Sequence, residues 1–287
     1  MLYSRRKFIQ TGSMLTAAGI LSANKLMAAS NGNLNNFGLQ LWTLRDVISD
    51  NPKDTLKKVA SYGYTQVESF EGKQGMFWGM SATDFKKYMD DLGIKIISSH
   101  CDINKDFEKK AADAAAIGMN YLICPYKGPQ KSIEDFKKFA DEFNAKGEIC
   151  RKNGIRFAYH NHDYSFKMID GQIPEDVMLQ NTDPNLVDFE MDIYWVVTAG
   201  ADPVAYLKKY ENRFRLCHIK DREKNAAAGD GDASCIVGQG SIDYPPILHV
   251  AKKCGMQYYI VEQEKYANTT PLLSAEADAA YLKTINI

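Results

Sequence analysis

Residues 133–162 read IEDFKKFADEFNAKGEICRKNGIRFAYHNH and contain one complete structural repeat. The first two thirds are charged and amphipathic, which predicts a helix over residues 133–153. Gly154 closes that helix, at a place where a left-handed cap suits a residue without a Cβ. A β-rich run follows directly, residues 156–162, and ends on His160 and His162.

Outward from this stretch the same pattern recurs. Strands are expected at residues 37–44, 66–70, 95–101, 121–126, 186–192, 214–221 and 257–264. Helices are expected at residues 52–62, 82–92, 107–117, 202–210, 244–254 and 275–284. Asn51-Pro52 and Asp202-Pro203 pair a capping residue with a first-turn proline. Gly63, Gly93, Gly118 and Gly255 stand before strands as Gly154 does. Eight strands alternating with helices imply parallel pairing. Residues 33–287, about 250 in all, suit a single (β/α)₈ TIM barrel. An open doubly wound sheet would carry a glycine-rich phosphate turn after an early strand. The first strand runs instead into Leu41-Trp42-Thr43-Leu44-Arg45-Asp46, and the chain has neither a G-x-G-x-x-G nor a P-loop.

Residues 1–29 are set apart. Ser4-Arg5-Arg6-Lys7-Phe8 leads into an apolar run from Met14 to Leu21 and then to Ala28 and Ala29. A basic start, a short apolar middle and a small-residue end describe an export signal. The paired arginines give it a twin-arginine-like character, with the periplasm as destination. The apolar run is shorter than the roughly 20 residues that span a bilayer, so stable membrane insertion is not expected. Removing Arg5, Arg6, Lys7 and Lys25 leaves 31 basic against 36 acidic residues, a net charge near −5. A nucleic-acid groove needs a basic excess, and this chain has none. The six cysteines form no Cys-x-x-Cys pair, and most read as small buried apolar residues. Whether the protein is a homo-oligomer is left open by the sequence.

In a barrel of this kind chemistry sits at the C-terminal ends of the strands. Side chains two residues apart share a face. Parity therefore gathers His160 and His162, Glu190 and Asp192, His218 and Lys220, and Glu262 and Glu264 from the last four strands. Glu68, His100, Asp102, Gln40 and Trp42 join them from the first three. A lone strand histidine is usually a hydrogen-bonded core residue. Here four of five histidines, His100, His160, His162 and His218, fall at strand ends on one side, and only His249 lies elsewhere. Unpaired buried charges are costly, and a divalent cation accounts for the collection. His160, Asp192, His218 and Glu262 come one from each of four consecutive strands and form the candidate ligand set. Imidazoles mixed with carboxylates suit Mn²⁺, Co²⁺, Fe²⁺ or Zn²⁺ better than Ca²⁺. His162 competes with His160 for its place, and Glu190 with Asp192.

These residues resemble the xylose-isomerase-like barrels of the sugar phosphate isomerase/epimerase family. The resemblance rests on Tyr159-His160-Asn161-His162-Asp163-Tyr164, Met191-Asp192-Ile193-Tyr194-Trp195, His218-Ile219-Lys220-Asp221, Gly238-Gln239-Gly240 and Val261-Glu262-Gln263-Glu264. It implies a divalent metal held by Glu, Asp, His and Glu on strands five to eight. Asp192, His218 and Glu262 match the last three, and His160 stands where the first glutamate is usual. The shared step it implies is enolisation of a sugar. Glu262 is the expected base, with Glu68 and Glu190 as second choices. Lys220 is expected at an oxyanion or hydroxyl, and His100 or His162 as the acid. Trp42, Gln40, Glu190 and Trp195 are expected against the substrate. The branch with this fifth strand includes enzymes acting on 3-keto-glycosides. The leading expectation is therefore a lyase that expels an aglycone by β-elimination. A sugar isomerase or epimerase comes next, and a non-catalytic periplasmic carbohydrate-binding protein after that. The loop over residues 222–239 is expected to be either a lid or a surface insert.

Overall fold

The computed structural model describes residues 33–287; the export-signal reading falls on residues outside them. Eight parallel strands close into a barrel. In chain order they are β1 (Gly38–Gln40), β2 (Gln66–Phe70), β3 (Lys95–His100), β4 (Tyr121–Cys124), β5 (Arg156–His160), β6 (Val187–Asp192) and β7 (Phe214–Ile219). A two-stranded ribbon, β8 (Asp221–Arg222) and β9 (Ser234–Cys235), precedes the eighth barrel strand, β10 (Tyr258–Val261), which pairs with β1 and β7. Around them run α1 (Pro52–Tyr62), α2 (Ala82–Asp91), α3 (Phe107–Ala116), α4 (Ile133–Lys152), α5 (Pro174–Asn181), α6 (Ile193–Thr198), α7 (Pro203–Lys209), α8 (Tyr244–Lys253) and α9 (Pro271–Leu282).

The local signals act as expected. The Asn51 and Asp202 side chains accept the N–H groups of Asp54 and Val204, and Gly154 takes φ 78°. The cysteines are all free, and every one but the half-buried Cys235 lies in the interior. Among the described residues no helix is long and apolar enough to cross a membrane.

Four elements depart from the sequence expectation. The first strand is three residues long, because the Gln40 side chain accepts the Trp42 N–H at 3.0 Å and turns Leu41–Leu44 into a 3₁₀ turn. The last helix starts earlier, at Pro271, where Thr270 caps it. Two helices, α5 and α6, were not expected. The α6 residues Ile193-Tyr194-Trp195-Val196-Val197-Thr198 have strand propensity throughout. Burial and the Asp192 side chain, which accepts the Trp195 N–H at 3.2 Å, impose the helix instead.

Two apolar regions hold the fold. The larger fills the space between sheet and helices. The smaller is a plug inside the barrel, made of Tyr121, Ile123, Ala158, Leu216 and Ile260. Below the plug, the buried Asp188 carboxylate takes Tyr121 Oη and the Arg156 guanidinium. Above it the interior turns polar. The plug thus forms the floor on which the strand-end residues stand.

Candidate active site

The polar interior has two layers. The lower one is a closed hydrogen-bonded cluster. Glu68 accepts from Gln40 Nε2 at 2.6 Å and Ser98 Oγ at 2.5 Å, and lies 2.8 Å from His218 Nε2. Glu190 Oε2 lies 2.8 Å from His100 Nε2 and 3.1 Å from His160 Nδ1. Burial alone would raise the Glu68 carboxyl, but His100 and His218 outweigh it and hold it well below the usual range. Burial would lower His100, and the Glu68 and Glu190 carboxylates override this, pushing it to about 9. Burial and the nearby Glu68 charge lift Glu190 to about 7.

The upper layer faces the mouth. The other nitrogen of each ligand histidine points here. His160 Nε2 is 3.8 Å from Asp192 Oδ2, and His218 Nδ1 is 3.8 Å from the same oxygen and 3.4 Å from Glu262 Oε2. Asp192 Oδ2 and His218 Nδ1 are buried and have no hydrogen-bond partner. Two unpartnered donor atoms in the interior are costly unless something occupies the space between them. Asp192, His218 and Glu262 bring their ligand atoms close enough to hold one cation, with His160 beside them. His100, His160, Glu190 and His218 form a second group with suitable spacing. Its nitrogens already have carboxylate partners, so it acts as the support that fixes the tautomer and orientation of the ligand imidazoles. The upper set is therefore the candidate metal site, and its mixture of imidazole and carboxylate suits Mn²⁺, Co²⁺, Fe²⁺ or Zn²⁺.

Beside it lies a cavity of about 540 Å³, on whose wall stand His100, His160, His162, Glu262 and Glu264. Burial keeps His162 neutral, at about 4. Burial also lowers His160, helped by the positive charge of His218. Glu262 is held far below the usual carboxylate range: Lys220 and His218 overcome the opposing effect of burial. The Lys220 ammonium is fully buried, 3.3 Å from Glu262 Oε2 and 2.5 Å from Glu264 Oε2, above the Tyr194 and Trp195 rings.

The sequence-predicted residues lie at different depths. Gln40, Glu68 and Glu190 are fully buried behind the histidines and off the cavity wall. Lys220 and Trp195 also lie off the wall; Trp195 packs on His162, with ring centroids 5.2 Å apart. Parity gives the face of a strand but not the depth, and successive inward residues of a barrel strand belong to different layers. Trp42, His100, His162 and Glu262 are on the wall as expected.

Three contributors were given no role from sequence, although parity had set Glu264 beside Glu262 at the end of the last strand. Glu264 reaches the cavity and is fixed by Trp42 Nε1 at 3.1 Å as well as by Lys220. Tyr126 lies outside its strand and also lines the cavity. Asp221 gathers four backbone N–H groups, from Arg222, Gly238, Gly240 and Ile242, at 2.8–3.1 Å. A Cβ on Gly240 would collide with that carboxylate, which explains the Gly238-Gln239-Gly240 motif. The long loop after β7 is folded back onto the barrel. Arg222 binds carbonyls of Ala226, Ala227 and Asp230, and Ser234 Oγ accepts the N–H groups of Glu264 and Lys265. The loop thereby positions Glu264.

With this geometry in hand, the chain can be compared with known proteins. Residues 56–285 match the xylose isomerase-like TIM barrel. A sugar phosphate isomerase/epimerase of known structure from Parabacteroides distasonis superposes with a TM-score of 0.74 and 31% identity, covering 89% of this chain and 95% of that one. Inosose dehydratase of Clostridium perfringens is 30% identical over 164 residues, 52% of this chain and 54% of that protein. The match thus spans about half the length of that curated relative. Inosose dehydratase of Geobacillus kaustophilus is 26% identical over 241 residues, 76% of this chain and 74% of that protein. On the family match, which covers most of the barrel and includes the strand ends from Glu68 to Glu264, the chain belongs to the xylose isomerase-like TIM barrel family.

Proposed function

We propose that the protein is a divalent-metal-dependent carbon–oxygen lyase that acts on 3-keto-glycosides, removing the C2 proton and expelling the aglycone from C1. The observation that carries this is the pair of unpartnered buried atoms, Asp192 Oδ2 and His218 Nδ1, next to Glu262, which with His160 lines a cavity large enough for a glycoside. The inosose dehydratases by name remove water from an inosose, and such eliminations share the loss of a proton and of an oxygen leaving group. That likeness favours a lyase over an isomerase.

His160, Asp192, His218 and Glu262 would hold the cation. When bound, it supplies positive charge to the ketone oxygen as the C–H bond breaks. Glu262, the carboxylate of that set that is open to the cavity, takes the C2 proton. The C–H electron pair forms the C1–C2 double bond, and the C1–O bond breaks. The departing oxygen takes a proton from His100, which its carboxylate neighbours keep protonated and which stands on the cavity wall. The products are a free aglycone and an unsaturated keto-sugar. Export to the periplasm would place the enzyme among glycosides and away from sugar phosphates.

Isomerisation or epimerisation of a free sugar is the second reading, favoured by the 31% identity with the Parabacteroides protein. Product analysis by NMR in D₂O, with metal-loaded protein and a 3-keto-β-glucoside, separates the two. The lyase releases aglycone and leaves an unsaturated keto-sugar. Deuterium uptake or rearrangement without release would overturn the lyase in favour of the second reading, and no change at all would overturn the lyase and leave free aldoses and ketoses as the substrates that test the second.

A further inference from the structure

The cavity is not uniform. Its metal-side wall is polar and comes mainly from β5 and β10. The opposite wall comes from the ends of β1 to β4 and is built on Trp42, Phe70, Cys101, Pro125 and Tyr126. Among the described residues only four large hydrophobic side chains are exposed, and two of them, Trp42 (39%) and Tyr126 (56%), stand on this wall. Single exposed apolar side chains need no explanation, but two aromatics at the rim of one cavity mark a binding surface.

Both rings are held in place. Trp42 donates its indole N–H to Glu264 Oε1 at 3.1 Å, packs edge-on to Phe70 at 4.9 Å, and lies under the Arg45 guanidinium. Tyr126 packs edge-on to His162 at 5.0 Å and to Tyr164 at 5.4 Å. Neither indole nor phenol covers a core region that would account for its exposure. They rise from β1 and β4, with Phe70 on β2 between them, so they flank the mouth on the side away from the ligand set. Glu71 and Asp102 share this rim, but Glu71 is engaged by Lys110 Nζ at 2.6 Å and by the Asp102 N–H at 2.8 Å. Trp42 and Tyr126 are the exposed apolar side chains of this wall, with Lys105 and the Asp102 carboxylate beside them.

We infer that Trp42 and Tyr126 form a leaving-group subsite for a six-membered ring with an apolar face, an aryl group or a second pyranose, attached to C1 of the sugar that sits at the cation. This rests on the lyase reading for the position of C1, but ring binding itself does not depend on turnover. A fixed aromatic plate gains from stacking on such a ring without losing side-chain freedom, and a methyl aglycone offers it almost nothing.

The test is equilibrium binding to the metal-loaded protein by calorimetry, using phenyl β-glucoside, cellobiose and methyl β-glucoside. None of these is a ketone, so none can undergo the elimination. At least one ring-bearing ligand is expected to bind tenfold or more tightly than the methyl glucoside. That advantage should fall below threefold in Tyr126→Ala and in Trp42→Ala and persist in Tyr126→Phe. Phenyl against cellobiose tells an aryl from a sugar leaving group. An advantage under twofold in the wild type, no saturable binding of any of the three, or an advantage that survives both alanine variants would overturn the subsite. If the advantage holds while 3-keto-glucosides are not cleaved, the lyase reading fails and the subsite stands.

Discussion

The two halves of the barrel mouth are built by opposite means. On the side of β5, β6, β7 and β10, charged groups are fixed by a hydrogen-bonded layer beneath them, as Glu68 and Glu190 fix His218 and His160. On the side of β1 to β4, aromatic rings are fixed by edge-on contacts, as Phe70 fixes Trp42. The division holds only at the rim. One layer down, Glu68 from β2 reaches across to His218, and His100 from β3 reaches Glu190. The barrel thus uses seven of its eight strands, all but β4, to orient one polar centre. It spends only the last residues of four strands on recognition, where substitutions disturb the centre least.

The comparison gives predictions of decreasing size. Glu262→Gln keeps the shape of the polar half but removes its base, and elimination should slow by about 10²–10⁴-fold, measured as aglycone release. A loss under tenfold would move the base elsewhere. Glu68→Gln leaves the cavity wall intact and weakens only the layer beneath, so cation affinity should fall by about 10–100-fold in a chelator competition. An unchanged affinity would mean that the lower layer does not orient the ligands. Tyr126→Ala, on the other half, should leave cation affinity within about twofold while reducing binding of ring-bearing ligands. Its stability should stay within about 0.5 kcal/mol of wild type, because the side chain is more than half exposed.

A control lies outside both halves. Burial pushes the carboxyls of Glu175 and Asp278 up to about 8. A carboxyl that binds its proton more tightly when folded makes the fold lose stability as pH rises through the interval between its unfolded and folded values. Their contribution is present below about pH 4. It should decline to a plateau above pH 8, where the folded-state values lie. Denaturant midpoints of Glu175→Gln/Asp278→Asn should show a shallower slope across that window, with cation affinity unchanged. An identical slope would show that these carboxyls titrate normally.

The barrel was legible because its signals are local. Asn51-Pro52, Asp202-Pro203 and Gly154 act within one turn of the chain and need no partner elsewhere. The convergence of Asp192, His218 and Glu262 was legible because strand parity is also local. What parity could not supply was depth. Glu68 and Trp42 both point inward, yet one is sealed beneath His218 and the other stands at the rim. The difference depends on register between strands, which no single stretch records. The α6 helix was missed for a similar reason, since an Asp192 cap and burial override a run of β-formers. Tyr126 lies beyond the paired end of β4, where alternation no longer reports direction, whereas alternation did set Glu264 beside Glu262 past the end of β10.

The central claim is that the upper layer of the polar half binds the cation. Elemental analysis after equilibrium dialysis against Mn²⁺ or Zn²⁺ tests it most directly, in wild type, Asp192→Asn and Glu190→Gln. Asparagine keeps the α6 cap, so the first variant removes the ligand charge without removing the helix start. The expected result is one cation per chain in the wild type, near-complete loss in Asp192→Asn, and a partial loss in Glu190→Gln. Full occupancy in Asp192→Asn together with loss in Glu190→Gln would place the cation in the lower layer and contradict the account.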